Sequence, residues 1–332
     1  MSTIKSACAI IGAIIGAGFA SGKEIYEYFA KFGFASIFFM LPLFFCFYFF
    51  IKTLLDLGLK QNNIHITQIN TNILATKNSF PVFNAFMFIT FLILCSAMNS
   101  AMVALIKTYI HNASLVLVYG IIIVASVWIS RLSLNNLSRI ATVLIPIIIA
   151  AIVFCCVFCY TTDGLYLSTN NSILLAPMTV DYSAQNIFLS SLTIIEIGKA
   201  SNKTQSKKIA LTVSLILSVL VLMCILCFLT NPNLGEYNLP FVEIAKSISP
   251  AFSILFGFVM LFSVLTTYAS SITSLKAYFN GNKKYNKPIL MYALIVLLSL
   301  LNFGAIIEYL YPLIGIFGVI YIFHCRKFCK MG

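Results

Sequence analysis

Along the chain, long apolar runs alternate with short polar connectors. A window of about 19 residues finds apolar runs near 4–31, 33–55, 81–106, 112–130, 138–160, 183–198, 209–230, 251–275, 288–306 and 308–324. Each is near the roughly 20 residues that a helix needs to cross the hydrocarbon core of a bilayer, so the pattern predicts ten transmembrane helices. The punctuation between them is brief: Gln61 to Asn78, Thr161 to Asp181, Ser201 to Lys208, Asn231 to Lys246 and Asn280 to Lys287. No connector is long enough to fold as a domain of its own.

The charges test this span count. With the N-terminus placed inside and the loops assigned alternately to the two sides, only Lys23, Lys31, Lys107 and Lys246 of the 21 Lys and Arg residues fall outside. One missed helix would invert every later loop and scramble that bias. Both termini are therefore expected on the cytoplasmic side of a bacterial inner membrane. Five spans lie in 1–160 and five in 183–332, separated by an outer loop at 161–182 that holds Asp163 and Asp181 and neither Lys nor Arg. An odd number of spans per half sets the second half upside down relative to the first. Inverted repeats of this kind are a transporter architecture, with the binding site at mid-membrane where helices are interrupted. The expected fold is an all-α polytopic membrane protein of two inverted five-helix repeats, with helices 1 and 6 discontinuous.

Composition narrows the function. The chain is 61% apolar and 9% charged, so its net charge of +12 is a matter of topology and leaves no water-exposed surface for a nucleic-acid reader. Of ten cysteines, most are small fillers of apolar runs. Cys156/Cys159 and Cys224/Cys227 have the spacing of metal or redox pairs, yet each stands within a span with no third or fourth ligand near it in sequence. His65, His111 and His324 fall in loops or at span ends. The chain is thus not expected to be an enzyme or to hold a structural metal.

The polar minority inside the spans is left to carry function. Span 1 reads Gly12-Ala-Ile-Ile-Gly16-Ala-Gly18-Phe-Ala-Ser21-Gly22-Lys23-Glu24, four glycines in eleven residues. Each glycine costs a helix about 1 kcal/mol relative to alanine, which predicts a break from Gly16 to Gly22. Unwound backbone survives in a bilayer only where it is buried in protein or lines a cavity, and there its free N–H and C=O groups are available to a solute or ion. Gly12 and Gly16 alone would also suit close helix packing, but Gly18, Ser21, Gly22 and the Lys23-Glu24 pair are surplus to that. Span 6 is interrupted less plainly, by Asn186, Ser190, Ser191, Thr193 and Glu196, with the two serines near its middle.

The stretch Gly16-Ala-Gly-Phe-Ala-Ser-Gly-Lys-Glu24 resembles the opening motif of the YkvI-type family of bacterial membrane proteins. The ten spans and the break in the first are similar to the amino acid–polyamine–organocation superfamily, whose members share the leucine-transporter fold. The resemblance implies that sodium, where it is the coupling ion, lies between the break in span 1 and span 8. Gly12 and Ile15 before Gly16-Ala-Gly18, and Ser263 followed by Thr266 and Thr267, match the pattern of carbonyls and hydroxyls that holds it; sodium is the one expected cofactor. Packing in a polar-rich span 8 is the plainer account of those hydroxyls.

A solute is expected against the amides of Ala17, Gly18, Phe19, Ala20, Ser21 and Gly22, where the half-helix from Ser21 points its N-terminus at mid-membrane and suits a carboxylate. Ser96, Asn99 and Ser100 of span 3 and Ser190 and Ser191 of span 6 are the polar candidates to face it. No Lys or Arg sits mid-span, which favours a small neutral or zwitterionic solute over a strongly anionic one. Acidic residues in spans are functional candidates by default. Glu24 would either bind an ammonium or relay a proton, or else pair with Lys23 or reach the headgroups. Glu196, close to Lys199, reads as a gate or interface pair. The expected function is secondary transport of an amino acid or related compound by alternating access. A proton-coupled carrier and a non-transporting nutrient receptor on the same fold stand beside it, and an ion channel is disfavoured because no filter repeat is present.

Overall fold

The computed structural model describes residues 3–60, 80–110, 112, 114, 118–122, 134–162, 172–280 and 288–331. Among them the regular elements are helices, without a β-strand. The first apolar run holds three: α1 (Thr3–Ile14), α2 (Ala17–Ser21) and α3 (Lys23–Tyr28). Two 3₁₀ turns, Ala30–Phe32 and Phe34–Phe39, lead into α4 (Met40–Lys60). Next come α5 (Phe80–Tyr109), α6 (Leu134–Thr162), α7 (Leu175–Leu189) and α8 (Ser191–Lys199). They are followed by α9 (Lys203–Thr230), α10 (Pro240–Ile248), α11 (Pro250–Asn280) and α12 (Pro288–Ser299). A short α13 (Phe303–Ala305) runs through a π-helical turn at Ile306–Leu310 into α14 (Tyr311–Met331).

Local chemistry sets many of the boundaries. Proline opens α10, α11 and α12, where its missing N–H costs nothing. Extended Ser249 precedes Pro250, and its Oγ accepts from the Phe252 N–H at 3.1 Å, supplying an N-cap. A reciprocal capping box, Asn202 with Gln205, starts α9. The two α-helical parts of span 6 meet at Ser190 (φ −94°, ψ 2°). α7 begins at Leu175, ahead of the expected 183, because its early residues have a core to fill: Leu175, Thr179 and Tyr182 are buried, with Tyr182 packed on Phe29 and Phe47. The expected loop 161–182 is thereby shortened from its far end, and Asp163 lies outside the described residues.

Among the described residues, five helices are long and apolar enough to cross a membrane: Phe34–Lys60, Ala85–Tyr109, Lys203–Thr230, Pro250–Tyr268 and Phe303–Cys329. Several carry an exposed apolar stripe at helical spacing: Leu211, Leu215 and Val219 on α9; Leu255, Phe258 and Phe262 on α11; Leu313, Ile316 and Ile320 on α14. Outward-facing apolar stripes on several helices belong against hydrocarbon. Most of the expected span 112–130 lies outside the described residues.

The interrupted first segment packs on α6, α7, α8 and α9 through α1 and on α10 and α11 through α2. α4 lies against α7, α8, α9 and α14, while α5 lies against α11 and α12; α6 and α1 both touch α9. The α4–α8 crossing is close enough that a Cβ on Gly198 would stand 3.1 Å from the Gly58 Cα, the small-residue contact expected between helices in lipid.

The two cysteine pairs require a correction. Sequence left each pair isolated, but α6 packs on α9 and brings Cys156 Sγ to 4.0 Å from Cys224 Sγ. Even so, among the described residues no group of three or more His, Cys, Asp or Glu side chains is disposed to hold a metal ion.

Candidate functional site

The first segment is interrupted twice. At the end of α1 the Gly16 N–H, which would close a helical turn on the Gly12 carbonyl, bonds to Ile14 O at 2.9 Å instead. α2 restarts with Ala20 N–H donating to Gly16 O at 2.9 Å, so the N–H groups of Ala17, Gly18 and Phe19 have no acceptor within that helix. Five residues later Gly22 takes the left-handed conformation, φ 82°, which glycine alone adopts without strain. A Cβ there would also stand 2.6 Å from Phe228 and 2.8 Å from Phe241. Ser21 Oγ donates to Gly18 O at 2.9 Å and accepts from the Lys23 N–H at 3.2 Å, tying the two breaks together. Ala17 through Gly22 are all buried, Phe19 included.

Lys23 and Glu24 part company. Lys23 Nζ pairs with Glu27 Oε1 at 2.8 Å and donates to Gly235 O at 2.6 Å, while Lys31 pairs with the other oxygen of Glu27 at 3.0 Å. Glu24 turns inward and is 4% exposed. Its carboxylate lies where a Cβ on Gly18 would be, and its Oε1 accepts from Asn186 Nδ2 at 2.9 Å and from Gln185 Nε2 at 3.4 Å. The two readings of Glu24 left open by sequence are thus unequal: Lys23 is committed to Glu27, and Glu24 faces α7. Burying an ionised carboxylate costs several kcal/mol unless it is paired and hydrogen-bonded, so this position calls for a cation or a proton.

A polar chain continues from Glu24. Tyr28 Oη stands 2.6 Å from Gln185 Oε1 and 3.1 Å from Asp181 Oδ2, and Asn186 Nδ2 also donates to Tyr182 O at 3.0 Å. The Tyr182 hydroxyl, in a fully buried residue, has no hydrogen-bond partner. Sequence reasoning placed Asp181 in a loop and passed over Tyr28, Gln185 and Tyr182 as site residues. The available signal was the i,i+4 spacing of Glu24/Tyr28, Asp181/Gln185 and Tyr182/Asn186, which puts each pair on one helical face once α7 is extended back to Leu175.

The other predicted residues divide. Gly16 meets α11: a Cβ there would sit 3.3 Å from Thr267 Oγ1. Thr266 and Thr267 donate to Ser263 O at 2.9 and 3.0 Å, and the buried Ser263 Oγ has no partner. Ile15 is buried beside this contact in sequence, with its N–H on Ile11 O at 2.8 Å. The Cα of Gly12 abuts Ile145 of α6, so its face is a packing surface and only its carbonyl is freed. Ser190 Oγ donates to Asn186 O at 2.8 Å, and Ser191 is buried at the start of α8. Ser96 bonds its own helix at Leu92 O and Ser100 bonds Leu301 O, both at 2.8 Å. Asn99 keeps a buried, unpartnered Oδ1, on a helix that packs against α11, α12 and α13. Glu196 pairs with Lys199 at 3.0 Å at the surface, where such a pair is worth about 0–1 kcal/mol.

No family model matches the chain. The chain is similar to an uncharacterized membrane protein, YkvI, of Bacillus subtilis strain 168, being 21% identical over 343 residues that cover 98% of this chain and 96% of the relative. Together with the apolar helices, this makes the chain a membrane protein, helical throughout the regular elements of its described residues.

Proposed function

We propose that the protein is a secondary carrier for a small neutral or zwitterionic solute, of the amino-acid class, bound at the break between α1 and α3. The observation that carries this reading is the buried Glu24 carboxylate. It lies against Gly18 in an interrupted helix, has amide donors from α7, and its neighbouring lysine is engaged elsewhere. A zwitterion matches both halves of the site: its ammonium would meet Glu24, and its carboxylate the N–H groups freed at Ala17, Gly18 and Phe19.

The packing supports two inverted repeats. If residues 3–28 are paired with α7–α8, α4 with α9, α5 with α11 and α6 with α14, the contacts exchange in kind. α4 touches α7 as α9 touches α1, α4 touches α8 as α9 touches α3, α4 touches α14 as α9 touches α6, and α7 touches α14 as α1 touches α6. The interruptions at Gly16 and Ser190 then occupy equivalent positions. Broken spans also explain why two of the ten expected spans have no single long helix among the described residues, since α1, α3, α7 and α8 each supply only part of one.

Sodium is the candidate coupling ion at the contact of α2 with α11. The contact of Gly16 with Thr267 supports this reading; the freed Gly12 carbonyl, the unpartnered Ser263 hydroxyl and the lone pairs of Thr266 and Thr267 would supply oxygens suited to a hard monovalent cation. Uptake of a panel of labelled neutral amino acids into proteoliposomes, with and without a sodium gradient, tests the reading. Gradient-driven accumulation is expected. Tight binding with no uptake of any solute would make the protein a receptor.

A further inference from the structure

The contacts between Glu24 and Asp181 can be counted hydrogen by hydrogen. Asp181 to Tyr28 (3.1 Å), Tyr28 to Gln185 (2.6 Å) and Gln185 to Glu24 (3.4 Å) are three polar contacts, and bonding all three at once takes three hydrogens. Tyr28 has one to give, and the Gln185 amide donates from one end only, its other end being an acceptor. With the amide oxygen towards Tyr28, the phenol donates to Gln185, the amide nitrogen donates to Glu24, and the hydrogen between Asp181 and Tyr28 must come from Asp181. With the amide turned over, its nitrogen donates to Tyr28, the phenol donates to Asp181, and the hydrogen between Gln185 and Glu24 must come from Glu24. In either arrangement all three contacts are bonded only when one of the two carboxyls keeps a proton.

Among the described residues no neighbouring cation relieves this count. Lys23 and Lys31, on and just beyond α3, are held by Glu27. Among the described residues, Tyr182 of α7 and Tyr311 of α14 face Glu24, and Cys46 of α4 reaches Ser183 of α7, all three neutral in their ordinary forms; Cys224 of α9 lies beside Tyr182. Tyr182 is close enough to Glu24 to sense its charge and has an unpartnered hydroxyl, one more polar atom at this point without a partner.

We infer that Asp181 and Glu24 share a single proton, with the Gln185 amide orientation set by whichever carboxyl holds it. Transfer is balanced within the chain: Asp181 loses a proton, Glu24 gains one, the amide turns over, and the Tyr28 O–H bonded to Gln185 in the first arrangement is bonded to Asp181 in the second. Asp181 is partly exposed and Glu24 buried, so the proton exchanges with solvent at the Asp181 end. The functional consequence rests on the carrier reading above. A solute ammonium at Glu24 requires the ionised carboxylate and therefore drives the proton to Asp181, whereas a proton on Glu24 excludes the ammonium. Solute and proton thus compete at one atom group, beside any cation held near Thr267.

Infrared spectroscopy of the purified full chain in liposomes at neutral pH, in the absence of solute, tests the inference. The wild type should show the carbonyl stretch of a protonated carboxyl. Glu24→Gln and Asp181→Asn should each lose it, because the new amide supplies the missing hydrogen and leaves the remaining carboxyl ionised. If one variant fails to fold by circular dichroism, the other carries the same test, and the wild-type band stands by itself as a requirement. Absence of that band in the wild type, or its full persistence in a folded variant of either kind, overturns the inference. The two readings fail separately: solute uptake without the band removes the shared proton and keeps the carrier, while the band without binding of any panel amino acid removes the carrier and keeps the shared proton.

Discussion

Single residues in the first segment do unlike jobs that their sequence spacing reveals unevenly. Gly22 was legible as a helix breaker, but its left-handed φ and its place against Phe228 and Phe241 come from packing across some two hundred positions of chain. Replacing it with alanine combines backbone strain with overpacking, and a loss of about 1–3 kcal/mol is expected. Thermal unfolding of Gly22→Ala in detergent checks this, and a midpoint equal to wild type would show that the turn relaxes freely. The partners of Glu24 were less legible. Sequence shows that Lys23 and Glu24 are adjacent, and neighbours in a helix point in different directions; which of them turns inward is decided by where Glu27, Gly235 and Asn186 lie. Asn186 supplies the better of the two amide bonds to Glu24, so Asn186→Ala should weaken solute binding, in equilibrium measurements with the panel amino acids, more than Ser190→Ala, which removes only a bond within α7.

At the scale of elements, glycine density located the interruptions at Gly16 and Gly22, and a pair of serines the meeting of two helices at Ser190. But Ala17–Ser21 is helical where an unwound stretch was expected, the next helix starts at Lys23 and not near Ser21, and the Ala20 and Gly22 N–H groups are already bonded. What periodicity could not show is that α7 reaches back to Leu175, because Asp181 and its neighbours look like a connector until Tyr182 is seen packed between Phe29 and Phe47. The contact of α2 with α11 is also an element-scale fact. It places Gly16 against Thr267, whereas Ser96 and Ser100 are satisfied within or beside their own helix. If the oxygens around Thr267 hold the coupling ion, Thr267→Ala should abolish the stimulation of uptake by sodium while the helix persists. Full sodium stimulation in that variant would confine Thr267 to packing.

For the whole molecule, the most telling sequence feature was the distribution of Lys and Arg, which concerns sidedness, and it makes a claim separate from packing. Lys203, Lys207 and Lys208 at the start of α9 are assigned to the cytoplasmic side. Single cysteines at these positions, in a background with the native cysteines replaced, should be labelled by a membrane-impermeant maleimide only from the cytoplasmic face; labelling from the outer face would overturn the ten-span arrangement. The exchange of contacts between the two halves was not readable from sequence, since it depends on which helices touch. It adds to the expectation of inverted repeats an argument that span counting lacks.

The central claim is that the break around Gly18 and Glu24 is the place where solute binds, and one measurement reaches it without requiring transport. Equilibrium binding of labelled neutral amino acids to purified wild type and to Gly18→Leu compares a site with room for Glu24 to one in which the new side chain occupies the position of its carboxylate. Saturable binding by the wild type and its loss in a folded Gly18→Leu variant is the expected result. Equal binding by the two would contradict the account and leave the glycines of the first segment with packing as their role.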